Sequence, residues 1–160
     1  MPASILLLIP LLPFIGFLIN GIGFKRIPKN LAGLLSVAAA LGSFILSVYI
    51  FNLFQDGNGE AVIAHYFDWI SVGALAISFS FQIDQLTLLM LLIITGVGSL
   101  IHIYSLGYMS HDEGFGKFFA YLNLFLFFML LLVMGSNYVM MFIGWEGVGL
   151  CSYLLIGFWN

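Results

Sequence analysis

Long apolar runs separated by short polar breaks set the pattern of this chain. Residues 3–23, 31–54, 85–104, 117–135 and 137–159 are each dominated by apolar side chains. At about 1.5 Å of rise per residue, every run is long enough to cross a hydrocarbon core about 30 Å thick. The one long interruption, 55–83, has a different period. From Ile77 to Ile83 (ISFSFQI) apolar and polar residues alternate without a break, which predicts a half-buried strand. Tyr66 to Val72 supplies a partner strand, with Gly73 near the turn. The pattern therefore predicts an all-α membrane protein: five transmembrane helices, with a short extramembrane β-hairpin over about 66–83 between helices two and three.

Individual residues refine the picture. The first run follows Met-Pro-Ala-Ser without a basic lead and is too long for the apolar core of a signal peptide, so it is read as a retained span. Pro10 and Pro13 kink its start, which is tolerated where neighbouring helices cover the freed backbone groups. Small residues in the second run (Gly33, Ser36, Ala39, Ala40, Gly42, Ser43 and Ser47) suit close helix contact inside a bundle. Asp84 precedes the third run and suits an N-cap, where its carboxylate accepts from unpaired N–H groups. A hairpin on the membrane surface would hold Tyr66 and Trp69 at headgroup depth and leaves it free to clasp a neighbouring subunit.

Composition agrees with the membrane reading. Apolar residues make up 62% of the chain and charged residues 7%, and the mean hydropathy is +1.15, which excludes a soluble globular domain. No basic run is present to bind nucleic acid. Cys151 is the only cysteine, so the chain builds neither an internal disulfide nor an iron–sulfur ligand set. Lys25, Arg26, Lys29 and Lys117 all lie in or beside the first and third loops. The positive-inside rule then places the N-terminus outside and Asn160 inside. His111, Asp112 and Glu113 in the third loop read as a solvated face rather than a metal site, which would need further ligands at matching spacing.

Two groups of polar residues within the spans carry candidate chemistry. Thr95, Ser99 and His102 fall at i, i+4 and i+7 of the third span, on one face with Gly98 beside them. This stripe reads either as a hydrated proton route, because imidazole exchanges protons near neutral pH, or as interhelical hydrogen bonding. Glu146 lies about 13 Å into the fifth span, near the bilayer midplane. A carboxylate there is either kept protonated or paired with a cation, and is a functional-site candidate by default. Phe142, Tyr153 and Gly157 share its helical face, and the glycines around it admit another helix or water. No Lys or Arg occupies a span interior, so a paired cation has to come from outside these residues. Cys151, on the opposite side of the wheel, reads as a small buried thiol.

The run Gly144 to Trp159 (GWEGVGLCSYLLIGFW) closely resembles the signature of the antiporter-like subunit L family of proton-pumping NADH:quinone oxidoreductase, respiratory complex I, called subunit 5 in mitochondria. The resemblance extends to the proline-bearing first span, the segment Trp69 to Asp84, LIHIYSLGYM in the third span and GKFFAYLNLF at the start of the fourth. It implies a partial antiporter-like fold, because family members run to several hundred residues and continue with further spans that bear intramembrane lysines, a broken helix and a long lateral helix. The chain is accordingly expected to be a fragment of a longer product.

By this resemblance, Glu146 matches a glutamate that pairs with a lysine on the later broken helix and gates proton transfer. Thr95, Ser99, His102 and Tyr153 are candidates for the proton path. The resemblance further implies partners among the membrane subunits of complex I, especially the adjacent antiporter-like subunit, together with the lipid bilayer. NADH, FMN, iron–sulfur clusters and quinone would belong to other subunits, with no cofactor or metal in this chain. Its place would be the inner membrane of a bacterium rather than a mitochondrion. Two alternatives stand beside this: a subunit of a multisubunit sodium/proton antiporter or membrane-bound hydrogenase, and a non-pumping membrane scaffold.

Overall fold

A computed structural model describes residues 3–23, 26–55, 60–73 and 75–159. They form helices α1 (Ala3–Gly23) and α2 (Lys29–Gln55), strands β1 (Val62–Val72) and β2 (Leu75–Ile83), and helices α3 (Gln85–Tyr108), α4 (Phe115–Met134) and α5 (Tyr138–Ile156). All five helices are long and apolar enough to cross a membrane, and the antiparallel hairpin joins the second to the third. Phe24 and Lys25 of the first loop, the polar stretch 56–59 and Asn160 lie outside the described residues. Some boundaries differ from the hydropathy pattern. Lys29 and Asn30 belong to α2 rather than to the loop, because Pro28 presets a helical φ and its carbonyl accepts from Ala32 N at 3.0 Å. Strand β1 begins at Val62 rather than Tyr66, and α3 continues to Tyr108 rather than ending at Tyr104.

Helices α1 and α3 each pack against both α2 and α4, and α2 also meets α4. Four helices thus enclose a common interior, while α5 lies on the outer side of α4. The small residues of α2 line that interior: Ser36, Ala40, Ser43 and Ser47 are all buried. One of them repairs a defect in α1. Pro13 has no N–H to offer the carbonyl of Ile9, four residues earlier, and the Ser43 hydroxyl of α2 donates to that carbonyl at 2.7 Å. Asn20 makes a second tie between the same helices, its Nδ2 donating to Ser36 Oγ at 2.6 Å and to the Ala32 carbonyl at 3.2 Å.

The hairpin closes one end of the bundle. Gly73 makes the turn at φ +59°, a left-handed value that glycine adopts without strain. Tyr66 is turned toward the bundle: its hydroxyl donates to the Ala3 carbonyl at 2.7 Å and its ring packs on Phe79 and Phe81. Burial pushes the Tyr66 phenol up to about 12. Strand β2 also holds the turn between α4 and α5, since Ser136 N donates to the Ser80 carbonyl at 3.2 Å and Asn137 Nδ2 to the Ser78 carbonyl at 2.8 Å. Ser80 is therefore buried although it occupies a polar position of the alternating strand. Asp84 caps α3 as its position predicts, accepting from Thr87 N at 2.8 Å.

The opposite end carries Arg26, Lys29 and Lys117, so the described basic loops share one side of the bundle. There Asp112 accepts from Gly114 N at 2.7 Å and from the Trp159 indole N–H at 2.9 Å, fastening the end of α5 to the loop between α3 and α4.

Two outcomes follow. Ser43→Ala strands the Ile9 carbonyl in the bundle and is expected to cost about 1–3 kcal/mol. Pro13→Ala returns an N–H to that carbonyl, so thermal unfolding of the solubilised protein should show a smaller Ser43→Ala penalty in the Pro13→Ala background. The Trp159 and Gly114 N–H groups hold the Asp112 carboxyl below its ordinary value. Its contribution is therefore complete above the unfolded-state value and is lost as pH falls through the lower folded one. The emission of Trp159, read in a variant that keeps only this tryptophan, should change on acidification only below the usual carboxylate range.

Candidate functional site

Helix α5 starts where the Asn137 side chain accepts from Met140 N at 3.0 Å. Its two faces then diverge. Gly144 and Gly147 press against α4 so closely that a Cβ on either would strike it, at the Leu132 backbone and the Phe128 ring respectively. Met140 and Cys151 are fully buried on the same side. Phe142, Trp145, Glu146, Gly149, Leu150 and Tyr153 face outward. Of the glycines around Glu146, Gly144 and Gly147 are thus taken up by α4, and the space beside Gly149 is open. The outer face is apolar except for the Glu146 carboxylate, the Trp145 indole N–H and the Tyr153 hydroxyl, and Tyr153 is 75% exposed. Among the described residues the only carboxylate within ion-pairing distance of a basic side chain is Asp68, whose Oδ1 lies 2.9 Å from His65 Nε2 on the hairpin.

The stripe on α3 points the other way, into the four-helix interior, where Thr95, Ser99 and His102 are all buried. Its donors are spent within α3. Thr95 Oγ1 donates to the Leu91 carbonyl at 2.6 Å, Ser99 Oγ to the Thr95 carbonyl at 2.7 Å, and His102 Nδ1 to the Gly98 carbonyl at 2.7 Å. These are bonds to the preceding turn, so the Thr95 and Ser99 hydroxyls are spent on their own helix. The amide of Asn123 on α4 lies within side-chain hydrogen-bonding reach of the His102 ring and against Gly16 of α1. Four buried polar atoms in this interior have no partner among the described residues: His102 Nε2, both ends of the Asn123 amide, and Asn20 Oδ1. Each such atom costs about 1–3 kcal/mol if left unpaired.

A family profile described as "NADH-Ubiquinone oxidoreductase (complex I), chain 5 N-terminus" matches residues 69–119. Those residues include Thr95, Ser99 and His102. Over 157 residues, 98% of its length, the chain is 46% identical to NADH-quinone oxidoreductase subunit L of Rickettsia bellii. It is 54% identical over 128 residues, 79% of the chain, to NADH-quinone oxidoreductase subunit L of Mycobacterium tuberculosis. The chain belongs to the subunit L family, in its N-terminal part. It covers 24% of the Rickettsia protein and 20% of the Mycobacterium protein, so it spans about a quarter or less of these relatives.

Within this subunit L segment the candidate residues fall into two sets that are not in contact. Glu146 and Tyr153 look outward from α5, whereas Thr95, Ser99 and His102 look inward from α3, with α4 between them. Two shallow grooves flank α4: one of about 240 Å³ reaches His102 and Gly98, the other, of about 360 Å³, reaches Trp145 and Gly149, and Met129 lines both. Periodicity singled out neither Asn20 nor Asn123 as a site residue. The available signal was an amide in the middle of an apolar helix, which needs partners that a wheel does not show.

Glycine contacts give a direct test of how α5 is seated. Gly144→Ala drives a methyl into the Leu132 backbone, which no side-chain rotation relieves, and should destabilise the α4–α5 contact by about 1–3 kcal/mol. Gly149→Ala meets open space and should leave thermal stability near that of the unmodified protein.

Proposed function

We propose that this chain is part of a proton-translocating membrane subunit of NADH:quinone oxidoreductase, in which Glu146 is the proton-carrying switch. The observation that carries this reading is the setting of Glu146: an exposed carboxylate on the open, apolar face of a spanning helix, with no cation beside it among the described residues. A lone carboxylate in hydrocarbon either holds a proton or draws a cation to it, and alternation between these two states moves a proton. In the assembled protein the cation is a lysine on a later helix that covers this face of α5. Thr95, Ser99, His102 and Tyr153 serve as proton-path groups. Adjacent antiporter-like and other membrane subunits are the partners, within a bacterial inner membrane.

Electron transfer from NADH to quinone takes place elsewhere in the complex. NADH, FMN, iron–sulfur clusters and quinone belong to other subunits in this reading, and no cluster of three or more metal-binding side chains occurs among the described residues. A non-pumping role draws its support from the stripe, whose Thr95 and Ser99 donors are satisfied by their own helix.

Glu146→Gln in the assembled complex separates the two readings. Protons pumped per electron should fall while the amount of assembled complex and its NADH oxidation stay measurable, because the amide of glutamine neither carries a proton nor pairs with a cation. Pumping at the normal ratio would reject the switch role and favour a scaffold.

A further inference from the structure

A groove of about 290 Å³ lies between α1 and α4, at the end of the bundle that carries the basic loops. Phe17, Leu18 and Gly21 of α1 and Ala120 of α4 wall it with apolar atoms, and Lys117 and Tyr121 of α4 stand at its head. Lys117 belongs to the first turn of α4, whose 20 residues rise about 30 Å, the thickness of a hydrocarbon core. Its ammonium therefore sits at headgroup depth, and the apolar walls lie deeper. The Lys117 Nζ is held over the Tyr121 ring, 5.7 Å from its centroid. Its charge has no counterpart: among the described residues no carboxylate lies within ion-pairing distance of Lys117. Gly21 keeps the groove open, since a Cβ there would meet only the edge of the Phe17 ring, at 3.6 Å.

We propose that this groove binds an anionic phospholipid, with its phosphate on Lys117 and one acyl chain laid along Phe17, Leu18 and Gly21. Helices α1 and α4 pack directly on each other, so the groove is a seam between them, too narrow for a further helix about 10 Å across. A single acyl chain fits such a seam, and a phosphodiester brings negative charge to the depth of the ammonium. Net charge selects the headgroup. Arg26 N donates to the Gly23 carbonyl at 2.8 Å, which sets a second cation at the end of the α1 wall. A zwitterionic headgroup would carry its own cation into these basic surroundings, whereas a net-negative one would not. The groove shares no residue with the outer face of α5 or with the groove that reaches His102, so the inference stands apart from the switch reading of Glu146.

The test is a set of density maps of the assembled complex in nanodiscs of phosphatidylcholine with phosphatidylglycerol as the minor lipid, each lipid in turn carrying brominated acyl chains. With brominated phosphatidylglycerol, bromine density is expected in the α1–α4 groove, joined to phosphate density within ion-pairing distance of Lys117 Nζ. Its occupancy should fall about fivefold in Lys117→Gln, the loss set by one basic side chain at an anionic headgroup. Gly21→Leu fills the groove without meeting backbone and should displace the chain although Lys117 remains. If that variant does not assemble, Lys117→Gln and the comparison of the two lipids decide. Equal bromine density from phosphatidylcholine overturns the proposal in favour of unselective bilayer contact, as does unchanged occupancy in Lys117→Gln. A protein segment in the groove also overturns it. So does density at Lys117 without a chain in phosphatidylcholine nanodiscs supplied with inorganic phosphate, which would mark a free-anion site.

Discussion

Hydrocarbon offers a backbone no hydrogen bonds, and the rest of this structure answers to that condition. The clearest response is at Pro13, whose missing N–H frees the Ile9 carbonyl inside the bundle. The Ser43 hydroxyl fills the gap from the neighbouring helix, which makes a proline on α1 and a serine on α2 one structural unit. The same condition shapes the ends. Asp84 and Asn137 close the starts of α3 and α5 with their own side chains, and the carbonyls of β2 bind the α4–α5 turn.

Satisfying polar groups locally leaves packing to hold the helices together, since lipid tails are as apolar as leucine. Small residues do this twice. The alanines and serines of α2 admit α1, α3 and α4 into one interior, and Gly144 and Gly147 bring α5 onto α4. Seating α5 by its glycines turns Glu146 away from the bundle. The carboxylate then faces whatever covers that side, while the imidazole of His102 stays within the four-helix interior. Helix α4 is the shared wall, which gives the two ionisable groups different surroundings although both lie in spanning helices.

Much of the architecture was legible because lipid imposes a strong rule on composition. Five apolar runs and one alternating stretch announce five helices and a hairpin. The caps at Asp84 and the inward role of the α2 small residues follow from residue chemistry as directly. Legibility fell away wherever two faces compete for the same residue. Tyr66 has an amphipathic ring that suits a headgroup layer, yet the Ala3 carbonyl and the Phe79 and Phe81 rings draw it toward the bundle. Ser80 occupies the polar side of an alternating strand, yet it is buried because the α4–α5 turn lies across it. The hydroxyls of Thr95 and Ser99 have the spacing of an interhelical seam, yet each bonds the turn behind it.

By itself the sequence determined that the chain crosses a membrane in five helical runs with a hairpin between the second and third, that its described basic loops share one end, and that a single carboxylate lies deep in its last span. These properties depend on transfer from water to hydrocarbon and on periodicity, which each segment carries alone. Only the tertiary structure decided which way that carboxylate faces, that Asn123 lies beside His102 and against Gly16, and that their polar atoms are left without partners. Facing and pairing depend on how closely two backbones approach, and that distance is set jointly by residues on different helices: Gly144 with Leu132, Gly147 with Phe128, Gly16 with Asn123.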